Sequence, residues 1–301
     1  MATHPDLRLL FATDLSQACF RAGRDVSRLA ARCHVDVTFV HVRSQGVPAL
    51  LAEKALRGFV VRLNPSYTHR PLLLDGPDPA QAVADLCTRS RFDLIVAPPS
   101  DETSLARVFG RSFRAGLLRR CAVPVWSGGP GVAPPEADLP FAAVGCVVDF
   151  EDAPERHLRR ASAFARRLGA RLHVVSLLPV IDDSTIGRVA SRAPITPDGA
   201  IDAIRAMLPA SALASVDVAV DDGRARLDRM LSRYALDVVF VGRQQWVSAF
   251  WPARYPRHLD RLAYPVVCLG GTPASAAWSF QETAAWVPPM AGAPAATAAS
   301  R

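Results

Sequence analysis

Asp14 and Asp149 each close an apolar run, RLLFATDLS (8–16) and FAAVGCVVDFE (141–151), and each precedes a segment of helical periodicity. A carboxylate in that position can cap the next helix, whose first amides lack partners. A third run, FDLIVA (92–97), leads into Pro98, Pro99, Ser100, Asp101 and Glu102. The loop after such a buried strand is where many α/β proteins hold phosphate, using glycines that let backbone N–H groups approach closely. Here Pro98 has no N–H to donate, and two acids add negative charge. The second half carries WVSAFWPARYP (246–256), where Trp246, Phe250 and Trp251 could form a lid, an apolar pocket, a partner surface or packing against the other half. His41 and His173 fall inside strand patterns and are expected to be packed or hydrogen-bonded rather than catalytic. The seven histidines form no H-E-x-x-H, and no G-x-S-x-G is present. The six cysteines never form C-x-x-C, which predicts small buried thiols rather than disulfides or a metal site.

The elements around these residues occur twice. After Asp14 and Asp149 come QACFRAGRDVSRLAARC and PERHLRRASAFARRLG, both amphipathic, and then the strands VDVTFVHV (35–42) and RLHVVSLL (171–178). LLLDG (72–76) matches VAVDDG (218–223), FDLIVA matches LDVVFV (236–241), and VPVWSG (123–128) matches YPVVCLGG (264–271). Repetition of this order is duplication. Each copy reads β-α-β-α-β-α-β-α-β, and strands alternating with helices imply a parallel sheet covered on both faces. The near-continuous Val/Ile/Leu/Phe strands agree with that burial. The predicted fold class is therefore α/β, with two tandem doubly wound, open, parallel five-stranded sheets. The expected boundaries are a first domain over 1–128, a Gly/Pro-rich linker over 129–139, a second domain over 140–272 and an Ala/Pro-rich mobile tail over 273–301.

With 301 residues, half of them hydrophobic and 21% charged, the chain has material for two cores. MATHPDLRLLF lacks the layout of a signal peptide, and no apolar run reaches about 18 residues. The expectation is a cytoplasmic protein with no membrane partner. The formal net charge of +7 is almost wholly arginine, since Lys54 is the only lysine. The arginines are spread over both halves, expected on the polar sides of helices. A nucleic-acid reader would gather them in one stripe with aromatics between, so nucleic acid is not an expected partner.

The motif order, twice at matching intervals, resembles the universal stress protein family. The first copy carries Asp14-Leu15-Ser16, Phe39-Val40-His41-Val42, Asp93-Leu94-Ile95-Val96 and Cys121-Ala122-Val123-Pro124-Val125. The second carries Asp149-Phe150-Glu151, Val175-Ser176-Leu177, Asp237-Val238-Val239-Phe240-Val241-Gly242 and Tyr264-Pro265-Val266. The resemblance covers roughly 7–128 and 140–271. It implies a Rossmann-like, adenine nucleotide alpha hydrolase-like sheet with a crevice beyond the strand carboxyl ends, and pairing through the last strand. In a tandem chain that pairing would be internal, a pseudo-dimer; a further homodimer and an unidentified protein partner stay open.

One branch of that family binds ATP with an aspartate after the first strand, backbone after the second and a loop G-x-x-G-(nine)-G-[ST] after the fourth. By this resemblance Thr13, Asp14 and Val42 are ligand-binding candidates in the first copy. Arg111 stands at the third glycine of the loop and Ser112 at its hydroxyl. Arg111 and Arg114 could hold phosphate by charge or form a solvated helix face. The second copy keeps Asp149 and Gly242, but Gln245, Pro252 and Ala253 break its loop. The resemblance thus implies a non-catalytic stress-response or signalling protein, with degenerate ATP loops, acting through protein or ligand binding. No cofactor is expected; ATP or another adenine nucleotide is the alternative, in a nucleotide- or small-ligand-binding sensor that uses the first crevice. Fold alone licenses no enzymatic reaction.

Overall fold

The computed structural model describes residues 5–97, 113–114, 116–127, 141–150, 154–178, 196–208, 212, 215–220, 224–242 and 264–269. The first half contains β1 (Leu7–Ala12), α1 (Gln17–Ala30), β2 (Val35–Arg43), α2 (Ala49–Leu63), β3 (Thr68–Asp75), α3 (Pro79–Arg89), β4 (Leu94–Val96) and β5 (Val125–Ser127). The second contains β6 (Ala143–Val148), α4 (Pro154–Leu168), β7 (Arg171–Leu178), α5 (Pro197–Met207), β8 (Ser215–Val220), α6 (Arg224–Leu231), β9 (Val238–Gly242) and β10 (Val266–Leu269). The expected linker over 129–139 and tail over 273–301 lie outside the described residues, as does WVSAFWPARYP.

Local chemistry accounts for the elements. Along α1, Ala18, Cys19, Ala22, Val26 and Leu29 return at helical spacing and are buried. Pro79 begins α3, and the N-cap Asp78 accepts from the amides of Ala80 (2.9 Å) and Gln81 (3.2 Å). Strand β3 starts four residues before the apolar run LLLD. Its polar opening, with Pro71, is tolerated because β3 lies at the sheet edge, where one side needs no ladder.

The strand order is β3-β2-β1-β4-β5-β10-β9-β6-β7-β8. Each half is thus a doubly wound parallel sheet of order 3-2-1-4-5, and the two join into one ten-stranded sheet. The join is antiparallel, pairing Val266 with Ser127, Val267 with Trp126 and Cys268 with Val125. One face packs Phe11, Phe39, Phe59, Trp126, Phe164 and Phe240; the other packs Leu10, Val40, Ile95, Leu118, Val147 and Val241. Trp126 of β5 meets Phe141 and Phe164 of the second half edge-on, at 6.0 and 6.4 Å between ring centroids. All six cysteines are free thiols, five of them buried.

The aspartate before the fourth strand of each half fastens that strand to the first. Asp93 accepts from the Arg8 amide (2.8 Å) while its own amide donates to the Arg8 carbonyl (2.8 Å). Asp237 does the same with Ala143 (3.0 and 2.9 Å), and also accepts from the Ala142 amide at 2.7 Å. Asp237 has a further partner across the seam: the Arg28 guanidinium of α1. That guanidinium stacks over Phe141 at 4.5 Å and lies 3.7 Å from Asp25. Arg167 of α4 pairs in the opposite sense with Asp6.

Most described helical arginines are exposed, as expected on the polar sides of helices, but three depart from that pattern. Arg28, Arg114 and Arg160 are buried: Arg28 meets Asp237 and the face of Phe141 at the seam, and Arg114 donates to Ser127. Asp25 is buried beside Arg28. Its pKa is pushed up to about 7, first by burial and then by Asp237, against the pull of Arg28. A raised folded-state pKa means that the folded protein holds the proton more tightly than the unfolded chain. The stability it contributes is complete below the unfolded value near 3.8 and is lost as pH rises toward 7. Asp25→Asn is therefore expected to gain stability over the wild type as pH rises from about 4 to about 7. Urea unfolding midpoints of both proteins measured across that range check this; parallel profiles would refute it.

Candidate functional site

Strands β1 and β4 adjoin at the switch point of the first half, with β2 on the other side of β1, so their carboxyl ends open a crevice. Thr13, Asp14 and Val42 come together at this end. Thr13 is buried, and its amide donates to the Val40 carbonyl at 2.8 Å. Val42 is half-buried and registers with Leu74. The turn from β1 to α1 is wound tightly. Thr13 Oγ1 accepts from the Leu15 amide (2.9 Å), and Asp14 Oδ1 accepts from the Ser16 amide (2.9 Å). Leu15 sits at φ 67°, a left-handed conformation costly for a branched residue.

The capping reading of Asp14 needs correction. Ser16 is the N-cap of α1, and its side chain makes no capping bond. Asp14 lies two residues earlier, exposed, and serves the turn instead; the left-handed Leu15 displaces it from the helix start. The same carboxylate accepts from the Cys19 thiol at 3.1 Å. Burial, reinforced by Asp14, pushes that thiol up to about 11, which leaves it without nucleophilic thiolate at neutral pH.

His41 holds the turn from below. Its Nδ1 donates to the Thr13 carbonyl at 2.9 Å. In the second half Ser176 occupies the matching place and donates to the Val148 carbonyl at 3.0 Å. Both copies therefore tie the end of their first strand with a side chain from the second. His173 lies elsewhere, stacked on Tyr234 at 4.2 Å with Nδ1 2.8 Å from Ser215 Oγ. The two histidines are hydrogen-bonded, as their strand positions predict.

Beside the crevice, the loops after β2 and β3 enclose a cavity of about 310 Å³ lined by Arg43, Ser44, Gln45, Gly46, Asp75 and Gly76. Arg43 spans it, with Nε donating to Asp75 Oδ1 at 2.5 Å and a terminal nitrogen donating to the Val47 carbonyl at 2.7 Å. That contact holds the Asp75 carboxyl below the usual carboxylate range and raises the Arg43 pKa. Sequence reasoning missed this cavity. Its signals were the turn residues SQG and DGP, with Gly46 at φ 87°.

Arg111 and Ser112 lie outside the described residues. Arg114 does not fit a solvated helix face: it is buried, and donates to Ser127 Oγ of β5 at 2.7 Å. In the second half Asp149 is half-buried beyond β6, and Gly242 is buried at the end of β9 beside Leu269. Among the described residues there is no group of three or more potential metal ligands, and no helix long and apolar enough to cross a membrane.

Two doubly wound halves, each with a crevice beyond its first and fourth strands and joined back to back through their fifth, define a tandem α/β protein of Rossmann-like design. The particular architecture is the universal stress protein fold. No family model matches the chain, and no curated protein matches its sequence. Solved structures do match. A universal stress protein from Archaeoglobus fulgidus DSM 4304 is 15% identical, with 88% of this chain and 96% of that one covered and a TM-score of 0.64. A "putative universal stress protein" from Pseudomonas aeruginosa UCBPP-PA14 is 16% identical over 88% and 93%, with a TM-score of 0.55. The cytoplasmic domain of a prokaryotic cation chloride cotransporter is 12% identical over 88% and 95%, with a TM-score of 0.50. At these identities the likeness is one of fold.

Proposed function

We propose that this chain is a tandem member of the universal stress protein family that works without catalysis, in cytoplasmic stress response or signalling, through protein or ligand binding. The observation that carries this reading is the β1–α1 turn. Its Leu15 and Ser16 amides are already engaged by Thr13 and Asp14, so neither is presented to a phosphate. The glycine-poor sequence Pro98–Glu102 supports the same reading, since Pro98 and Pro99 have no N–H to donate and Asp101 and Glu102 add negative charge where a triphosphate would sit. A second reading is favoured by one feature. Asp14 is exposed at the crevice mouth, where a carboxylate could accept from the hydroxyls of a ribose or another small polar ligand.

Calorimetric titration with ATP, on wild type and on Asp14→Ala, separates the two. The expected result is no saturable binding to either protein. Tight binding abolished by Asp14→Ala would overturn the first reading in favour of a nucleotide sensor. Mass spectrometry of small molecules released from the purified protein by acid tests other ligands in the same way.

A further inference from the structure

The face of the first sheet that packs on α3 is apolar except at the amino-terminal ends of its strands. Arg8 registers with Asp36, and Thr38 with Arg70; alternation along β2 puts all four on one face. Further along that face Leu10, Ala12 and Val40 enter the core. The segment after α3 adds Ser90, Arg91 and Phe92, and these seven residues line a cavity of about 270 Å³. Arg70 Nε donates to Thr38 Oγ1 at 3.0 Å. Arg8 Nε is buried and has no hydrogen-bond partner. A desolvated guanidinium N–H left without an acceptor is costly, and calls for a group that the protein itself does not provide.

The second half shows what this place looks like when the protein fills it. The shared Asp93 and Asp237 brackets align Arg8 with Ala143, Thr38 with His173, Arg70 with Ser215 and Ser90 with Tyr234. There the Tyr234 ring lies on His173, its hydroxyl donates to Asp217 at 2.7 Å, and His173 meets Ser215. The polar groups close on one another. In the first half serine replaces tyrosine, and arginines replace Ala143 and Ser215.

We propose that this first-half cleft binds a small phosphate group, as the free ion or a phosphate monoester, between Arg8, Arg70 and Arg91. Three arginines and one carboxylate, Asp36, line the cleft, and planar guanidinium forks match phosphate oxygens. The Ser90 hydroxyl adds a donor. Ser90 also ends α3, so the carbonyl end of that helix faces the region with about half a unit of negative charge, which the three arginines outweigh. The cleft lies at the amino ends of the strands, opposite Asp14 and Val42, so it is independent of the crevice and of any nucleotide bound there.

Calorimetric titration of the full chain with inorganic phosphate and, separately, glycerol 3-phosphate tests it, with chloride at matched ionic strength as the control. Saturable one-site binding is expected for at least one of them, and the tighter of the two identifies the form preferred. Ser90→Tyr, which copies the second half, and Arg91→Gln, an exposed position, are each expected to weaken it at least tenfold. Arg57→Gln, on the exposed side of α2, should leave it unchanged. If Ser90→Tyr does not fold, Arg91→Gln decides. Absence of saturable binding overturns the proposal. So does equal affinity in the wild type and the cleft variants, or an equal loss in Arg57→Gln, which would mark a general charge effect.

Discussion

Asp237→Ala is expected to destabilise the protein by about 3–5 kcal/mol, the cost of removing one member of a buried ion pair. The change takes from Arg28 its nearest carboxylate inside the seam, where that guanidinium is 7% exposed, and leaves it Asp25 at 3.7 Å. It also removes the acceptor for the Ala142 and Ala143 amides, so one side chain holds both a strand bracket and the link between halves. Asp237→Asn separates the two roles. Its amide oxygen can still accept from the backbone, but it cannot neutralise Arg28, so an intermediate loss is expected. Asp93→Ala breaks the matching bracket in the first half and should cost about 1–3 kcal/mol for the Arg8 amide it abandons. Urea unfolding at neutral pH measures all three, and an Asp237→Ala midpoint no lower than that of Asp93→Ala would show that the seam contact contributes little.

Trp126→Ala is expected to cost a similar amount, about 3–5 kcal/mol, by leaving a cavity where the two halves meet. The indole is 2% exposed and touches Phe141 and Phe164, both from the other half. Partial collapse cannot fill the space, because β5 and β10 are pinned by their ladder on either side. The loss should therefore fall on the coupling between halves as well as on total stability, and the single unfolding transition is expected to broaden or divide. Leu50→Ala, at a position 76% exposed on α2, supplies the comparison and should stay within about 0.5 kcal/mol of wild type. A Trp126→Ala shift as small as that would refute the role given to the indole.

The local steps of the fold were legible because they rest on local causes. The duplicated order of strands and helices, the amphipathic pattern of α1 and the buried character of β4 and β9 follow from residue periodicity within short windows. Thr13, Asp14 and Val42 come from the family resemblance instead, and the alternation of elements puts them at one end of the sheet. The roles of individual charged residues depend on packing that short windows do not contain. Asp14 has the composition of a helix cap, but a left-handed Leu15 moves it out of that position. Arg114 has the composition of a solvated face, but it turns inward to Ser127.

What the amino-acid sequence determines by itself is therefore the kind of sheet and the number of times it is made. Only the tertiary structure decides which charges become structural and which stay open to a ligand. Arg28 and Asp237 are 209 residues apart, and nothing in the pattern around either one announces the other. Their meeting depends on the antiparallel join of β5 to β10, which brings α1 against the second half. By the same logic Arg8 stands beside an open cleft only because Ser90, on another element, is too small to do what Tyr234 does in the repeat. Periodicity is a property of neighbouring residues, whereas desolvation and pairing are properties of the surfaces that packing brings together.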